Sequence, residues 1–128
     1  MELSCALVGR QGSVFSVTID SNETVATLKK AIKNENENVL KGIDPLELDL
    51  FLAKTNGGWL MEKDVQKGVK DTDGLKPLTF MGAPLNLADL SEEDVRIHLT
   101  KDDVEAGKIP VHVLVESMYD SLIYHVMR

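Results

Sequence analysis

The chain has a single cysteine and no long apolar run. Because Cys5 has no second cysteine to pair with, no intramolecular disulfide can form, and its place in an apolar stretch predicts a buried thiol. No stretch approaches the roughly 18 apolar residues that a membrane-spanning helix needs. The apolar start of the chain is too short, and lacks the basic residues, for a secretory signal. We therefore expect a strand at the start and no membrane-spanning segment.

Basic residues are in the minority, with 14 Lys and Arg against 21 Asp and Glu, so the formal net charge is −7. An acidic chain repels phosphate groups, which argues against a nucleic acid or an anionic membrane as the main partner. Hydrophobic residues make up 43% and charged residues 27%, a composition typical of a globular protein rather than a disordered one. A length of 128 residues suits one domain whose core needs no covalent cross-link.

Clusters of catalytic or metal-binding residues are also missing. An enzyme needs a nucleophile, a base and an electrostatic stabiliser, or a set of metal ligands, and no such grouping is visible. The histidines, His98, His112 and His125, are far apart and none has metal-ligand spacing, so each is predicted to lie at the surface or on a strand face. No catalytic residue, cofactor or metal is expected.

Alternating apolar residues over 3–8 and 15–19 predict two strands, and Gly9 and Gly12 between them predict an antiparallel hairpin. Thr24 can accept hydrogen bonds from the first amides of a following helix. The apolar face of that helix holds Val25, Leu28 and Ile32. Its lysines, Lys29, Lys30 and Lys33, are predicted to point to water.

Residues 46–54 alternate in a strand pattern with two distinct faces. Leu48, Leu50 and Leu52 are predicted to face the helix-covered core. Phe51 faces the other way, so the second half of the chain or a partner must cover it. Cover by the chain itself is favoured, with Trp59 and Leu60 the nearest candidates.

Residues 111–116 predict a final strand, with Val111, Val113 and Val115 on one face and His112 on the other. Hairpin, helix, strand and final strand is the element order of a β-grasp, an α+β fold in which one main helix covers a mixed sheet. Residues 1–54 would form its core, and residues 111–116 would complete the sheet.

Residues 55–110 exceed what a β-grasp requires and are predicted to be an inserted segment of short helices packed on the core. Ser91 and Thr100 are each followed three residues later by an aspartate, which predicts capping boxes at two helix starts. Residues 78–81 predict a short edge strand. The tail, 117–128, is predicted to form a short helix lined by Met118, Leu122 and Val126.

One segment carries a family resemblance. Residues 48–54, Leu-Asp-Leu-Phe-Leu-Ala-Lys, match the Leu-x-Leu-Phe-Leu-Ala-Lys signature of Crinkler effectors, best known from plant-pathogenic oomycetes. Further stretches are similar to family elements in family order: 5–9, 28–32, 58–60, 84–87, 91–95 and 111–115. The chain thus resembles the N-terminal part of a Crinkler effector from residue 1 to about residue 116.

The resemblance implies a non-enzymatic, ubiquitin-like header that is secreted, assists delivery into host cells and binds host or self proteins, with a homo-oligomer possible. In that family the effector activity belongs to diverse C-terminal domains, often acting in the host nucleus. The implied translocation motif comprises Leu48, Leu50, Phe51, Leu52, Ala53 and Lys54. Other implied family motif positions are Trp59, Leu60, Val111, His112, Val113, Leu114 and Val115.

The chain departs from the family pattern after Val115, where a proline and the effector part would follow but Glu116 and a dozen residues stand instead. We therefore expect no effector domain here. A ubiquitin-like modifier needs a glycine-ended tail, and this chain ends in Arg128, so conjugation is not expected. Two alternatives stay open: an intracellular ubiquitin-like adaptor that is never exported, and an enzyme subunit or remnant that requires a missing C-terminal domain.

Overall fold

The computed structural model describes residues 1–9, 14–55, 58–67, 72 and 74–117. The helix predicted for the tail, with Met118, Leu122 and Val126, lies outside these ranges, as does most of the predicted first turn. The described elements, in chain order, are β1 (Glu2–Leu7), β2 (Val14–Thr18), α1 (Val25–Glu35), β3 (Leu48–Leu52), β4 (Lys54–Thr55), β5 (Gly58–Met61), α2 (Glu62–Val65), α3 (Glu92–Val95), α4 (Lys101–Glu105), β6 (Pro110–Val111) and β7 (Val113–Ser117). Short 3₁₀ turns occupy Pro45–Glu47 and Leu85–Leu87.

The main sheet has four strands in the order β2-β1-β7-β3. β1 pairs antiparallel with β2 and parallel with β7, and β7 pairs antiparallel with β3. The predicted hairpin is therefore confirmed, and so is the predicted α+β class with a mixed sheet. The strand order and directions are compatible with a β-grasp.

A helix forms after Thr24 because local and distant acceptors satisfy its first amides. Thr24 Oγ1 accepts a hydrogen bond from the Thr27 amide (3.3 Å), which confirms the predicted N-cap. The amides of Val25 and Ala26 donate to carbonyl oxygens of residues 83 and 81 (both 3.0 Å). The segment around residues 81–83 is thereby fixed against the start of α1.

The prediction that all three lysines of α1 point to water is wrong for two of them. Lys30 is exposed, but Lys29 is only 4% exposed and Lys33 is half-buried. The chain after α1 returns along the helix, and Lys33 Nζ donates to the carbonyl oxygens of Leu40 and Ile43. Lys33 therefore holds the returning chain against α1.

Two apolar clusters lie on opposite faces of the main sheet. The larger, which we call the helix-side cluster, includes Leu28 and Ile32 of α1 together with Leu3, Leu50 and Val115 of the sheet. The smaller, which we call the outer cluster, consists of Ala6, Ala53, Val65, Val111 and Leu114. Because both faces are covered, the central strands β1 and β7 are largely buried.

Cys5 belongs to the helix-side cluster and is fully buried. The predicted buried thiol is therefore confirmed. Burial raises the pKa of this thiol to about 12, because the apolar surroundings disfavour the thiolate.

The predicted final strand is interrupted at His112. Val111 lies in β6 and pairs with Leu60 of β5, in a small sheet with the order β4-β5-β6, whereas β7 begins at Val113. Val113 and Val115 pack in the helix-side cluster, but Val111 packs in the outer cluster. The prediction that the three valines share a face is therefore wrong, because the chain passes from one sheet to the other between them.

The free side of β3 is covered by residues 76–78. Leu52 donates its amide proton to the Lys76 carbonyl (2.9 Å), and Leu78 donates to the Leu50 carbonyl (2.8 Å). The predicted strand over 78–81 is wrong, since the contact with β3 lies further upstream and a turn closed by Ala83 follows. Pro77 sits between the two bonds and has no amide proton to extend the ladder.

Short helices in the second half of the chain begin as predicted. The Ser91 hydroxyl accepts from the Asp94 amide (3.1 Å) while the Asp94 carboxylate accepts from the Ser91 amide (3.0 Å). Thr100 and Asp103 repeat this arrangement at 3.1 Å for both bonds. Both capping boxes are confirmed.

Residues 55–110 also contribute β5 and parts of β4 and β6. The predicted division of the chain at residues 54 and 110 stays a prediction.

Across the ranges that the structure describes, no helix combines the length and apolar character needed to cross a membrane.

Candidate interaction surface around the signature strand

The signature residues 48–54 form β3 and the start of β4. Leu48, Leu50 and Leu52 are fully buried or nearly so and belong to the helix-side cluster. Their backbone is hydrogen-bonded to β7 on one side and to residues 76–78 on the other. The predicted core role of these leucines is confirmed, and their side chains are not accessible to a partner.

Phe51 faces away from α1, as predicted, and packs half-buried against the outer cluster. The chain itself therefore covers Phe51 in part, as predicted. Leu60 packs against the same cluster, but Trp59 packs against the helix-side cluster. The expectation that Trp59 covers Phe51 is wrong, because successive residues of β5 point to opposite faces.

Ala53 joins the main sheet to the small sheet. Its amide donates to the His112 carbonyl (2.9 Å), and its carbonyl accepts from the Leu60 amide (2.7 Å). The side chain is fully buried in the outer cluster. A larger residue at this position would have to displace packed neighbours, so the alanine of the signature has a steric reason.

Lys54, the last signature residue, is exposed and lies beside Trp59. The two residues are paired across β4 and β5, and Lys54 Nζ lies 5.2 Å from the centroid of the indole ring. A lysine over an indole at this distance forms a cation–π contact worth about 0.5–1 kcal/mol at an exposed site. The Lys54 side chain is therefore held in one position on the surface by its contact with Trp59.

Trp59 connects this surface to helix α3. The indole Nε1 donates a hydrogen bond to the Asp94 carbonyl oxygen (3.2 Å). The carboxylate of Asp94 belongs to the capping box. Its pKa is lowered by the hydrogen bonds from the Ser91 amide and hydroxyl and, to a smaller extent, by the positive charge of Lys54. Helix α3 is thus fixed against β5.

His112 is buried, 5% exposed, on the inner side of Trp59. The two rings meet edge to face, with centroids 5.0 Å apart and planes at 88°. His112 Nδ1 accepts from the Ser4 amide (3.0 Å), and the His112 amide donates to the Ser4 carbonyl (2.8 Å). The prediction of a surface position is wrong for His112, because the ring packs against Trp59 and accepts the Ser4 amide proton inside the fold.

The protonation state of His112 follows from this environment. With Nδ1 accepting a hydrogen bond, the neutral ring carries its proton on Nε2. In the described part of the chain, Nε2 is buried and has no hydrogen-bond partner. Burial lowers the pKa of His112 to about 4, so the ring is neutral near pH 7.

The remaining family motif positions are structural. Val113 and Val115 lie in the helix-side cluster, and Val111 and Leu114 lie in the outer cluster. Leu60 is half-buried beside the outer cluster. These side chains fill the two apolar layers rather than forming a binding surface.

The structure brings Lys54, Trp59, Asp94 and His112 into one contact network, which we call the motif network. These residues come from four separate family-like stretches of the sequence. Sequence reasoning did not identify Asp94 or Ser4 as parts of the site, because the bonds that involve them join residues 35 and 108 positions apart. Lys54 is exposed, Trp59 and Asp94 are half-buried, and His112 is buried.

The motif network contains one cation, one aromatic ring, one helix-capping carboxylate and one neutral imidazole. Within the described ranges, no three His, Cys, Asp or Glu residues are grouped so that they could hold a metal ion.

Comparisons with known proteins give a family assignment. The family model for the Crinkler effector protein N-terminal domain matches residues 1–116. The chain is 47% identical over 116 residues to Crinkler effector protein BLC01 of Bremia lactucae, covering 90% of this chain and 58% of that protein. It is 44% identical over 115 residues to Crinkler effector protein 108 of Phytophthora sojae, covering 90% of this chain and 14% of that protein. It is 36% identical over 118 residues to Crinkler effector protein 5 of Phytophthora infestans, covering 90% of this chain and 32% of that protein.

The chain therefore spans less than two thirds of the length of these relatives. No solved structure matches it.

Proposed function

From the premise that this chain belongs to the Crinkler effectors through their N-terminal domain, we propose that it is a non-enzymatic header that is secreted, assists delivery into host cells and binds proteins. The observation that carries this proposal is the family match over residues 1–116, which includes the signature at 48–54. The similar proteins of Bremia and Phytophthora are named effectors, which supports an effector role for this chain.

The fold that we propose is a ubiquitin-like β-grasp. Two features support it: a parallel pair, β1 and β7, at the centre of a mixed four-stranded sheet, and one main helix on one face of that sheet. Such a sheet offers a face and a strand edge, both suited to binding other proteins. Fold analogy alone does not define a function, so the site must carry the argument.

Within the signature, we assign separate roles to the buried and exposed residues. Leu48, Leu50 and Leu52 maintain the fold, because they are core residues. A partner that reads the signature would contact Lys54 and the accessible part of Trp59, since these residues reach the surface. The amine over an indole is suited to a carboxylate or phosphate group on a partner protein.

The experiment compares Lys54→Gln with Lys30→Gln, a matched control at an exposed lysine on α1. Each chain is fused to a reporter, and uptake into host plant cells is measured beside the reporter alone. We expect Lys54→Gln to reduce uptake and Lys30→Gln to behave like the unchanged chain. Both should unfold within about 1 kcal/mol of the unchanged protein, since surface substitutions cost little.

Folding must be measured in parallel, because a signature variant such as Leu50→Ala is expected to lose about 2–5 kcal/mol through a core cavity. Its failure to be taken up would report stability only. Equal uptake of the two lysine variants would refute recognition at Lys54. If the reporter with the unchanged chain were taken up no better than the reporter alone, the delivery role itself would be wrong.

A further inference from the structure

The two outer strands of the main sheet differ in how their free sides are covered. The free side of β3 is hydrogen-bonded by residues 76–78. β2 pairs with β1 alone, and its other side has no neighbouring strand among the described residues. Within the part of the chain that the structure describes, β2 is therefore the open edge of the sheet.

The hydrogen-bond register shows which groups this edge presents. Met1 and Ile19 exchange both backbone hydrogen bonds, each at 2.9 Å. Since exchanged pairs alternate in an antiparallel ladder, the next such pairs are Leu3 with Val17 and Cys5 with Phe15. The residues between them, Val14, Ser16 and Thr18, turn their amide protons and carbonyl oxygens away from β1.

The edge lacks the features that usually prevent strand addition. Proteins protect such edges with lysine, proline, a bulge or a covering segment. β2 reads Val-Phe-Ser-Val-Thr, without charge or proline, and its five residues pair one to one with β1, so it has no bulge. No described group bonds to the outward backbone of its three edge residues.

We propose that two copies of this chain associate through β2. The β2 strands of the two copies pair antiparallel, so that the two main sheets form one continuous sheet. The two-fold axis passes through Ser16, so that Ser16 faces Ser16 of the second copy and Val14 faces Thr18 of the second copy. Because all three edge residues turn their backbone outward, each pairing exchanges two hydrogen bonds. The inference names a partner for the protein-binding part of the proposed function.

A second copy fits this edge better than a partner chosen by charge. β2 carries no charged side chain that could attract such a partner. In the symmetric pairing, the hydroxyl of Ser16 faces the same hydroxyl of the second copy, and β-branched Val14 faces β-branched Thr18. No like charges of β2 are opposed. A five-residue edge buries much less area than the roughly 1,200–2,000 Å² of stable interfaces, so the association is weak.

Charge gives the association a distinctive salt dependence. Each copy carries a net charge of −7, so two copies repel one another at long range. Salt screens that repulsion within about 10 Å at 0.1 M. Self-association therefore strengthens as salt is added, whereas binding of a basic partner would weaken.

The first test is sedimentation equilibrium of the purified chain over a wide concentration range at low and moderate salt. We expect a dimer that grows with concentration and with salt. Ser16→Lys places like charges at the axis, and Ser16→Pro removes an outward amide proton that β1 does not use; both should be monomeric. Thr79→Lys adds the same charge at an exposed loop position and should dimerise like the unchanged chain.

The second test is oxidative cross-linking of Ser16→Cys. The native Cys5 is fully buried and does not compete. The Cα atoms of facing Ser16 residues would be about 5.5 Å apart, within the range for a disulfide. Thr18→Cys is the matched control, because two such residues would lie four strand positions apart, roughly 13 Å. We expect a covalent dimer from Ser16→Cys only.

A chain that stays monomeric at all concentrations, with no cross-link from Ser16→Cys, would overturn the inference. A dimer that persists in both Ser16→Lys and Ser16→Pro, or that Thr18→Cys cross-links equally well, would also overturn it. These measurements use purified protein and do not depend on host-cell uptake, so self-association and delivery can fail independently.

Discussion

Acidification is expected to destabilise the folded protein through His112. In the fold this ring is buried, neutral and bonded through Nδ1 to the Ser4 amide. A proton on Nδ1 would place two donors against each other and break that bond, and it would leave a cation beneath Trp59. The fold therefore favours the neutral ring.

The magnitude follows from the two pKa values. In the unfolded chain the ring takes up a proton below its ordinary pKa of 6.5, but in the folded protein only near a pKa of about 4. Between these values the unfolded state binds more protons, so the free energy of unfolding falls as pH falls. At about 1.4 kcal/mol for each tenfold change, the loss is about 2 kcal/mol at pH 5 and about 3 kcal/mol near pH 4, where it levels off.

Two carboxyls titrate in a different window. Hydrogen bonds in the capping boxes, chiefly from the backbone of Ser91 and Thr100, lower the pKa values of Asp94 and Asp103 from 3.8. Their stabilisation is present above 3.8 and is lost only as pH falls through the lower folded-state values. These two carboxyls therefore do not account for a decline between pH 6.5 and about pH 4, the window in which His112 is expected to act.

The assay is urea unfolding at a series of pH values, followed by emission of the single tryptophan, Trp59, and by far-ultraviolet circular dichroism. His112→Asn is the informative variant, because Oδ1 can accept from the Ser4 amide and does not titrate. His98→Asn is the matched control at an exposed histidine. We expect a flat stability profile between pH 6.5 and 4.5 for His112→Asn and the unchanged decline for His98→Asn.

The reasoning about His112 would be refuted if His112→Asn lost stability over this range as steeply as the unchanged protein. It would also be refuted if His98→Asn removed the decline.

Three further predictions concern residues that follow the signature, each measured by urea unfolding. At Gly107 φ is +71°, and an added Cβ would lie 2.9 Å from Lys63 Cβ; at Gly42 φ is +80°, but the space around an added Cβ is open. Gly107→Ala should therefore lower the free energy of unfolding by at least about 1 kcal/mol more than Gly42→Ala does. Equal losses would contradict the close approach to Lys63. Trp59→Phe should cost about 1 kcal/mol by removing the hydrogen bond to the Asp94 carbonyl, and unchanged stability would show that bond to be unimportant. Ser91→Ala should cost about 1 kcal/mol and raise the pKa of Asp94 only part of the way toward 3.8, because the backbone amide of residue 91 still donates to the carboxylate; a pKa unchanged in NMR titration would exclude the Ser91 hydroxyl as a contributor.

These assignments change how the signature at residues 48–54 can be understood. Three of its leucines and Ala53 are buried, so substitution of the whole signature alters the fold before it alters any contact. Among the fixed positions of the signature, Lys54 is the exposed one, so it can be changed with little effect on packing. Experiments on the signature therefore need a folding measurement beside every functional one.

The elements that depend on neighbouring residues could be predicted from the sequence. The β1–β2 hairpin, the start of α1 at Thr24 and the two capping boxes are local, since strand period, helix period and cap geometry all act within a few residues. The core role of the leucines in β3 follows from period two. The family could also be identified, because its signature is a contiguous stretch.

The tertiary structure alone decided what depends on distant contacts. His112 is buried because Ser4, 108 positions away, supplies its hydrogen bonds, and Trp59 reaches α3 through a bond spanning 35 positions. Val111 leaves the face of Val113 because the chain changes sheets between them, and Lys33 is half-buried where the chain after α1 returns and offers it two carbonyl oxygens. Local periodicity assigns a side chain to a face of its own element, but only the packing of the other elements decides whether that face meets solvent or protein.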